Sequence, residues 1–443
     1  MAMRTTLHLS PARILLSSLL CAITIGSLLL ALPIAHSTSI SLLDIIFTAT
    51  SVTTVTGLAT IPLEYFTQFG KVVILILMQI GGIGLITMTL FTLSFFMELR
   101  YATQLMAGKM LELESWKNVK KLLVFIISFT LICEILGAIL IFVSIYGKYS
   151  FWNTLFFSLF HSVASFCETG FSIFPHKIIN FQQNGTFLMT TAALILSGGL
   201  GFITWIEIIS YARSFHKKRR HLSLHSKIVL YMTLLLTLSA SILFFALEYN
   251  NTLSHLTPLY TIINAFFNAV TCRGCGLVSV IPSHLSLASL FLITIIAFIG
   301  ASPGSTGSGV KTTTFAICLA TIRAALWGRT SVELRGRRIL KEQVYKATAI
   351  VFLALSWVAV ITFFLLVTEK NWHFLDVFFE VVSAFSTLGV STGLTPYLSS
   401  IGKICIIITM IIGRIGALTI LLVFGIKQEK AEFSYPEERI MLG

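Results

Sequence analysis

Charge is scarce in this sequence. Of 443 residues only 18 are acidic and 31 basic, so that 11% are charged against 56% hydrophobic. A soluble chain of this length could not hide so much apolar surface, so most of it must face lipid and the protein is a polytopic membrane protein. Catalytic signatures are wanting as well. No His-Glu-x-x-His pair occurs and no nucleophile elbow is recognised, which leaves an intramembrane enzyme without a catalytic pair. The seven cysteines are scattered, and the one C-x-x-C pair, Cys272 and Cys275, has no histidine cluster beside it, whereas a zinc site needs four ligands. No nucleotide-binding domain is present. The stretches "GGIG" and "GGLG" lie in apolar runs with no strand before them and do not form a dinucleotide fingerprint.

The net charge of +13 might suggest nucleic acid, but its placement argues otherwise. Residues 98–121, 213–227 and 323–346 hold 5, 6 and 7 Lys or Arg, and the N-terminal arm (Arg4, Arg13) and the C-terminal tail (Lys427, Lys430, Arg439) add more. These segments share one side if the membrane is crossed an even number of times between them, and the positive-inside rule makes that side cytoplasmic. The apolar run that follows Arg13 extends to about Leu32, long enough to span, and reads as an uncleaved first helix rather than a signal peptide.

Against this background "SVTTVTGLAT", Ser51 to Thr60, is conspicuously polar, and it recurs. Related segments centre on Gly57, Gly170, Gly276 and Gly389, separated by 113, 106 and 113 residues. Each is preceded by a spanning run (about 14–32, 122–146, 228–247 and 347–367) and by a short apolar run (42–52, 155–166, 258–270 and 374–385). Each is followed by a second span carrying its own small-residue motif at Gly81, Gly198, Gly300 or Gly413, which lies 24, 28, 24 and 24 residues further on. Two signals in phase four times define four repeats: 11–97, 119–212, 225–326 and 345–426, with a cytoplasmic tail at 427–443. The short runs cover about half a bilayer at about 1.5 Å per residue, so each must turn back. Irregular backbone at that depth survives only where protein buries it or where it lines water. The expected fold is therefore all-α: four units of helix, re-entrant half-helix, glycine loop and helix around a central pore, with eight spans and four half-helices. Thr257 and Pro258 fit a half-helix start. Carbonyls of the four loops, at the negative ends of the half-helices, can replace the hydration shell of a monovalent cation.

The segments "ATSVTTVTGLA", "SAFSTLGVSTGLTP", "GSTGSGVKTTTF" and "IGRIGALT", together with the ending "YPEERIMLG", resemble the Trk/Ktr/HKT superfamily of potassium transporters, most nearly its Ktr-type pore subunits. The resemblance covers essentially the whole chain. It implies an ion-binding filter formed by Thr54, Val55, Thr56 and Gly57; Glu168, Thr169 and Gly170; Gly274, Cys275 and Gly276; and Thr387, Leu388 and Gly389. Gly57 stands where a serine in plant relatives goes with sodium transport, which favours potassium. The second and third loops depart from the family: Cys167-Glu168-Thr169-Gly170 replaces Asn-Asn-Ala-Gly, and "TCRGCGL" replaces a Pro-Arg-Thr-Ala-Gly pattern. A sodium-selective or poorly selective permease is the alternative. Glu168 admits two readings: a pore-mouth acid that attracts cations or pairs with Arg273, or a direct ion ligand that alters selectivity.

Residues 300–314, "GASPGSTGSGVKTTT", cannot continue a helix. In the family this loop lies beneath the filter and gates it, which here implicates Gly304, Ser305, Gly307, Ser308, Gly309 and Lys311. Arg414 occupies the phase of Gly82, Gly199 and Ala301 in the other repeats. A charge there should face the interior, where it would oppose cation passage or bond to helix carbonyls. Glu134 and Glu207 also fall in predicted spans and are expected to pair inside. The resemblance further implies a homodimer on a cytosolic RCK regulatory ring of the KtrA/TrkA kind that binds ATP or ADP. No cofactor is expected on this chain. The resemblance implies potassium as the transported ion, with sodium as an activator or coupled ion.

Overall fold

The computed structural model describes residues 11–84, 119–174, 178–213, 221–416 and 438. The basic segment 98–121 and the tail 427–443 lie almost wholly outside these residues, as does the end of the fourth repeat and the part of the first repeat beyond residue 84. Only a part of 213–227 is described.

The described chain is helical and repeats in the expected order. First spans are α1 (Pro11–Leu30), α4 (Val119–Ile145), α8 (Leu224–Glu248) and α12 (Lys341–Thr368). Each is long and apolar enough to cross a membrane. Half-helices are α2 (Leu42–Thr53), α5 (Phe151–Phe166), α9 (Pro258–Thr271) and α13 (Phe374–Ser386). Second helices are α3 (Gln68–Ile83), α6 (Gly185–Gly199) continued by α7 (Phe202–Arg213), α10 (Leu287–Ile299) continued by α11 (Thr312–Leu326), and α14 (Ser400–Ile415). A two-residue hairpin, β1 (Glu333–Leu334) with β2 (Arg337–Arg338), joins α11 to α12 through a left-handed Arg335–Gly336 turn.

Polarity runs from inside to outside in the reverse of a soluble protein. Thr48, Thr50, Ser51, Thr53, Thr54 and Thr56 are buried, while Ile132, Ile139 and Val143 of α4 are more than half exposed and face lipid. What makes the arrangement a ring is the packing between repeats. The second helix of each repeat lies against the half-helix of the next: α3 on α5, α6 on α9, α10 on α13, and α14 back on α2. The closing seam carries an ion pair, Lys403 of α14 to Asp44 of α2 at 2.7 Å, with both side chains about 15% exposed. Lys403→Met should lower stability by roughly 1–3 kcal/mol, between the exposed and buried limits for ion pairs. It would be read as a lower thermal unfolding midpoint in detergent, part of which Asp44→Asn restores in the double variant.

A further repeated element sits at the end of the spans opposite the basic loops. Thr67, Asn184, Ser286 and Ser399 cap the second helices, each accepting from a backbone N–H three residues on. Every cap is also tied to the end of its own first span. Thr67 donates to the Ile34 carbonyl, Asn184 to the Ser144 carbonyl, and the amides of Ser286 and Ser399 donate to Glu248 and Glu369.

One expectation needs correction. The sequence treats the second spans as continuous through their glycine motifs except in the third repeat. The structure instead ends all four helices there. Gly84, Gly201, Gly300 and Gly416 are left-handed, which stops a helix, and in the second repeat α6 and α7 meet at a bend of 101°. The apolar residues on either side conceal the break from a hydropathy reading. Packing demands the small residues just ahead of it: a Cβ on Gly81, Gly198 or Gly413 would fall on the carbonyl of Thr53, Phe166 or Phe385, at the end of that repeat's own half-helix.

Candidate functional site

The four half-helices end at the four glycine loops, and the loops touch in sequence order. A Cβ on Gly57 would fall on the Thr169 carbonyl oxygen, and one on Gly389 on the Thr56 oxygen. On Gly276 it would lie 2.7 Å from the Leu388 oxygen, and on Gly170 it would lie 2.8 Å from the Gly276 nitrogen. Each glycine therefore backs directly onto the neighbouring loop, and the ring closes from the fourth to the first. Three of the carbonyls that precede a ring glycine, those of Thr56, Thr169 and Leu388, lie at these junctions.

Three of the loops leave their helix in the same way. Val55 (φ 61°), Glu168 (φ 59°) and Thr387 (φ 52°), each two residues before a ring glycine, are left-handed. The next amide reaches back five residues, Thr56 to Ser51 at 2.8 Å, Thr169 to Ala164 at 2.9 Å and Leu388 to Ser383 at 2.8 Å, in the pattern of a Schellman helix end. A left-handed conformation in a non-glycine residue costs on the order of 1–3 kcal/mol and persists where the surroundings impose it, commonly at functional sites. Side chains help to impose it. The Thr54 hydroxyl donates to the Thr50 carbonyl at 2.7 Å and shares a bond with Thr56 Oγ1 at 2.8 Å, and Gly57 N donates to Ser51 Oγ at 3.1 Å. In the fourth loop Ser383 Oγ donates to the Val390 carbonyl at 2.6 Å. With the hydroxyls of Thr54 and Thr169 turned back on their own helices, the loops present backbone oxygen.

The third loop differs. Neither Gly274 nor Gly276 is left-handed, and the Cys275 amide reaches back only four residues, to Thr271 at 2.8 Å, so the turn that follows α9 lacks the reversal. The departure in sequence at "TCRGCGL" is thus also a departure in backbone. Cys272 and Cys275 are buried thiols, and no group of three or more His, Cys, Asp or Glu suited to a metal occurs among the described residues.

Beneath the ring the 300–311 segment crosses from α10 to α11, with left-handed Gly300, Gly304 and Gly309. It is fastened to the second repeat: Ser302 N donates to Gly199 O at 3.1 Å, Thr306 N to Gly198 O at 3.3 Å, and Thr306 Oγ1 to Phe166 O, the last carbonyl of α5, at 3.1 Å. Phe202 N returns a bond to Gly304 O at 2.9 Å. Ser305 Oγ donates to Ser302 O within the loop, and Lys311 Nζ donates to Gly307 O at 2.5 Å. Arg414, from α14, donates one amino group to the Thr306 carbonyl and to Ser308 Oγ at 3.3 Å, and its other amino group to the Gly81 carbonyl at the end of α3. A fixed cation therefore joins the loop to the fourth and first repeats. These loop anchors on Gly198, Gly199 and Phe166 were not foreseen, although "GGLG" was the signal that could have found them. Residues 300–304 also spell Gly-x-Ser-x-Gly, a match missed in the sequence. Ser302 is buried between two helices with no strand before it, and its hydroxyl accepts from Thr312 at 3.1 Å, so no nucleophile elbow is formed.

The predicted acids separate. Glu134 accepts from Gln79 Nε2 at 3.0 Å, and Glu207 accepts from the Ser223 amide at 3.0 Å. Glu168 is 3% exposed, and its side chain packs against Gly199, Gly274 and Gly307. Arg273 attracts it without closing to an ion pair and instead donates to Thr237 and Thr233 at 3.5 Å.

Comparison with known proteins bears on the family and the fold. Residues 13–435 match the family model TrkH, described as a cation transport protein. The chain is 36% identical to the "Potassium/sodium uptake protein NtpJ" of Enterococcus hirae, over 100% of this chain and 99% of that protein. It is 33% identical to the "Ktr system potassium uptake protein B" of Bacillus subtilis, over 98% and 97%. The crystal structure of the potassium transporter TrkH from Vibrio parahaemolyticus superposes with a TM-score of 0.76 at 18% identity, covering 96% of this chain and 87% of that one; at that identity the likeness concerns the fold.

Proposed function

The chain belongs to the TrkH family of cation transport proteins, a family of transporters and not of enzymes, and from that membership we propose that it carries potassium into the cell through the ring of glycine loops. The observation that carries the reading is the closure of four loops in sequence order, with backbone carbonyls at three of the four junctions and half-helix C-termini behind them. Such a ring offers a dehydrated monovalent cation oxygen ligands and a favourable partial charge. The filter comprises Thr54–Gly57, Glu168–Gly170, Gly274–Gly276 and Thr387–Gly389. The loop that holds Gly304, Ser305, Gly307, Ser308, Gly309 and Lys311, with Arg414 against it, is the gate. Its neutral backbone bonds can exchange for water at modest net cost, while the Arg414 charge opposes passage until the loop moves.

The protein works in the cytoplasmic membrane, with both termini and the basic loops inside. A homodimer seated on a cytosolic nucleotide-binding RCK ring controls the gate, and the exposed hairpin that carries Arg337 and Arg338 is a docking point for that ring. Sodium acts as activator or coupled ion.

The test is growth of a potassium-uptake-deficient bacterium at low potassium, expressing this chain with and without a cognate RCK subunit. Rescue that needs both chains is expected. A second reading, a sodium-conducting or poorly selective permease, is favoured by the third loop, which lacks the reversal of the other three. It predicts no rescue, with heightened sensitivity to added sodium.

A further inference from the structure

Below the glycine ring all four repeats contribute to one small region. The first supplies the Gly81 carbonyl, the third the 300–311 loop with Lys311, and the fourth Arg414. The second supplies Glu168. Although Glu168 belongs to a filter loop, its carboxylate is turned toward the loop beneath: a Cβ on Gly307 would fall on its Oε2, and one on Gly199 would lie 2.5 Å from its Oε1. Oε2 is fully buried and has no hydrogen-bond partner. The charged groups that act on the carboxylate are Arg273, Lys311 and Arg414, two of which hold the loop by donating to its own carbonyls.

We propose that Glu168 is a positioning residue that couples the filter to the gate: its buried charge holds the 300–311 loop shut by drawing Lys311 and Arg414 against it. This rests on the reading of that loop as the gate. A buried carboxylate oxygen without a hydrogen-bond partner is costly, and Arg273, Lys311 and Arg414 are the cations placed to offset part of that cost. The backbone geometry adds a mechanical link. Glu168 is held left-handed by the reversal at the end of α5, so a change in the second filter loop moves the carboxylate, and the loop's cations follow. The third loop is included, because Gly274 packs on the same carboxylate, 2.8 Å from Oε2 to a built Cβ.

The test uses the full chain in proteoliposomes without a regulatory subunit, with radioactive rubidium uptake as the readout. Glu168→Gln keeps the shape and removes the charge, and should raise uptake by roughly tenfold, the scale on which coupled neighbours interact. Glu168→Asp keeps the charge on a shorter arm and should raise uptake by much less than Glu168→Gln does. Lys311→Met should raise uptake by itself, and adding it to Glu168→Gln should raise it no further. Uptake by Glu168→Gln that is unchanged or reduced, or Asp and Gln variants that behave alike, would overturn the proposal. If Glu168→Gln does not purify as a monodisperse protein, Lys311→Met decides: no rise overturns the coupling. Arg414→Gln separates this failure from failure of the gate reading. If it raises uptake while Glu168→Gln does not, only the coupling is wrong, and if neither does, the loop is not the gate.

Discussion

Replacing Gly57 with serine is expected to abolish rescue at low potassium, with potassium uptake down on the order of tenfold or more. Two effects act together. At φ 95° a side chain is strained by itself, and the new Cβ would land on the Thr169 carbonyl, one of the oxygens at the ring's junctions. Either Thr169 retreats and the ring loses a ligand position, or the first loop shifts and displaces Thr56, whose own carbonyl abuts Gly389. Gly389→Ser meets the same two obstacles and should be as severe. Gly170→Ser, with its nearest atom at 2.8 Å, should be somewhat milder. Gly276→Ser should be the mildest of the four, since only sterics oppose it and no left-handed φ is required. Competition uptake with potassium and sodium, across all four variants, checks the ranking. Equal losses at all four positions would mean that ring closure matters only as a whole.

Neutralising Arg414 should have the opposite sign. Arg414→Gln leaves a hydrogen-bonding group but removes the charge that reaches both the Thr306 and Gly81 carbonyls. On the proposed reading, uptake in cells that lack an RCK subunit should rise by roughly tenfold, since the charge beneath the glycine ring and one fastening of the loop are lost together. Resting conductance measured with purified protein would show the same rise. A fall instead would identify Arg414 as a structural tie between the fourth and first repeats and nothing more.

Much of the fold was legible because the repeat is written in glycine. The period follows from Gly57, Gly170, Gly276 and Gly389, and three of the half-helices begin and end within a residue or so of the apolar runs that announce them. The exception is α5, which begins at Phe151 rather than Leu155, because Ser150 supplies an extended cap just ahead of the aromatic pair Phe151 and Trp152. The helix caps at Thr67, Asn184, Ser286 and Ser399 could have been read from the same phase, lying 10, 14, 10 and 10 residues after the ring glycines. The reversals at Val55, Glu168 and Thr387 could not. Glycine is the usual sign of a left-handed helix end, and here tertiary packing forces valine, glutamate and threonine into that role. The orientation of Glu168 was equally hidden. It depends on Gly199, Gly274 and Gly307 all leaving room for one carboxylate, and these lie in three separate segments.

The odd behaviour of the third loop has a mechanical consequence. Three quadrants of the ring are stiffened by the same helix-end reversal, and the fourth is not. Such an orifice has no reason to widen evenly like an iris. On the proposed reading, an ion crossing the ring meets least restraint in that quadrant, which belongs to the repeat whose second helix is interrupted by the 300–311 segment. The opening that results would be eccentric, widest in the one quadrant that the helix-end reversal does not brace.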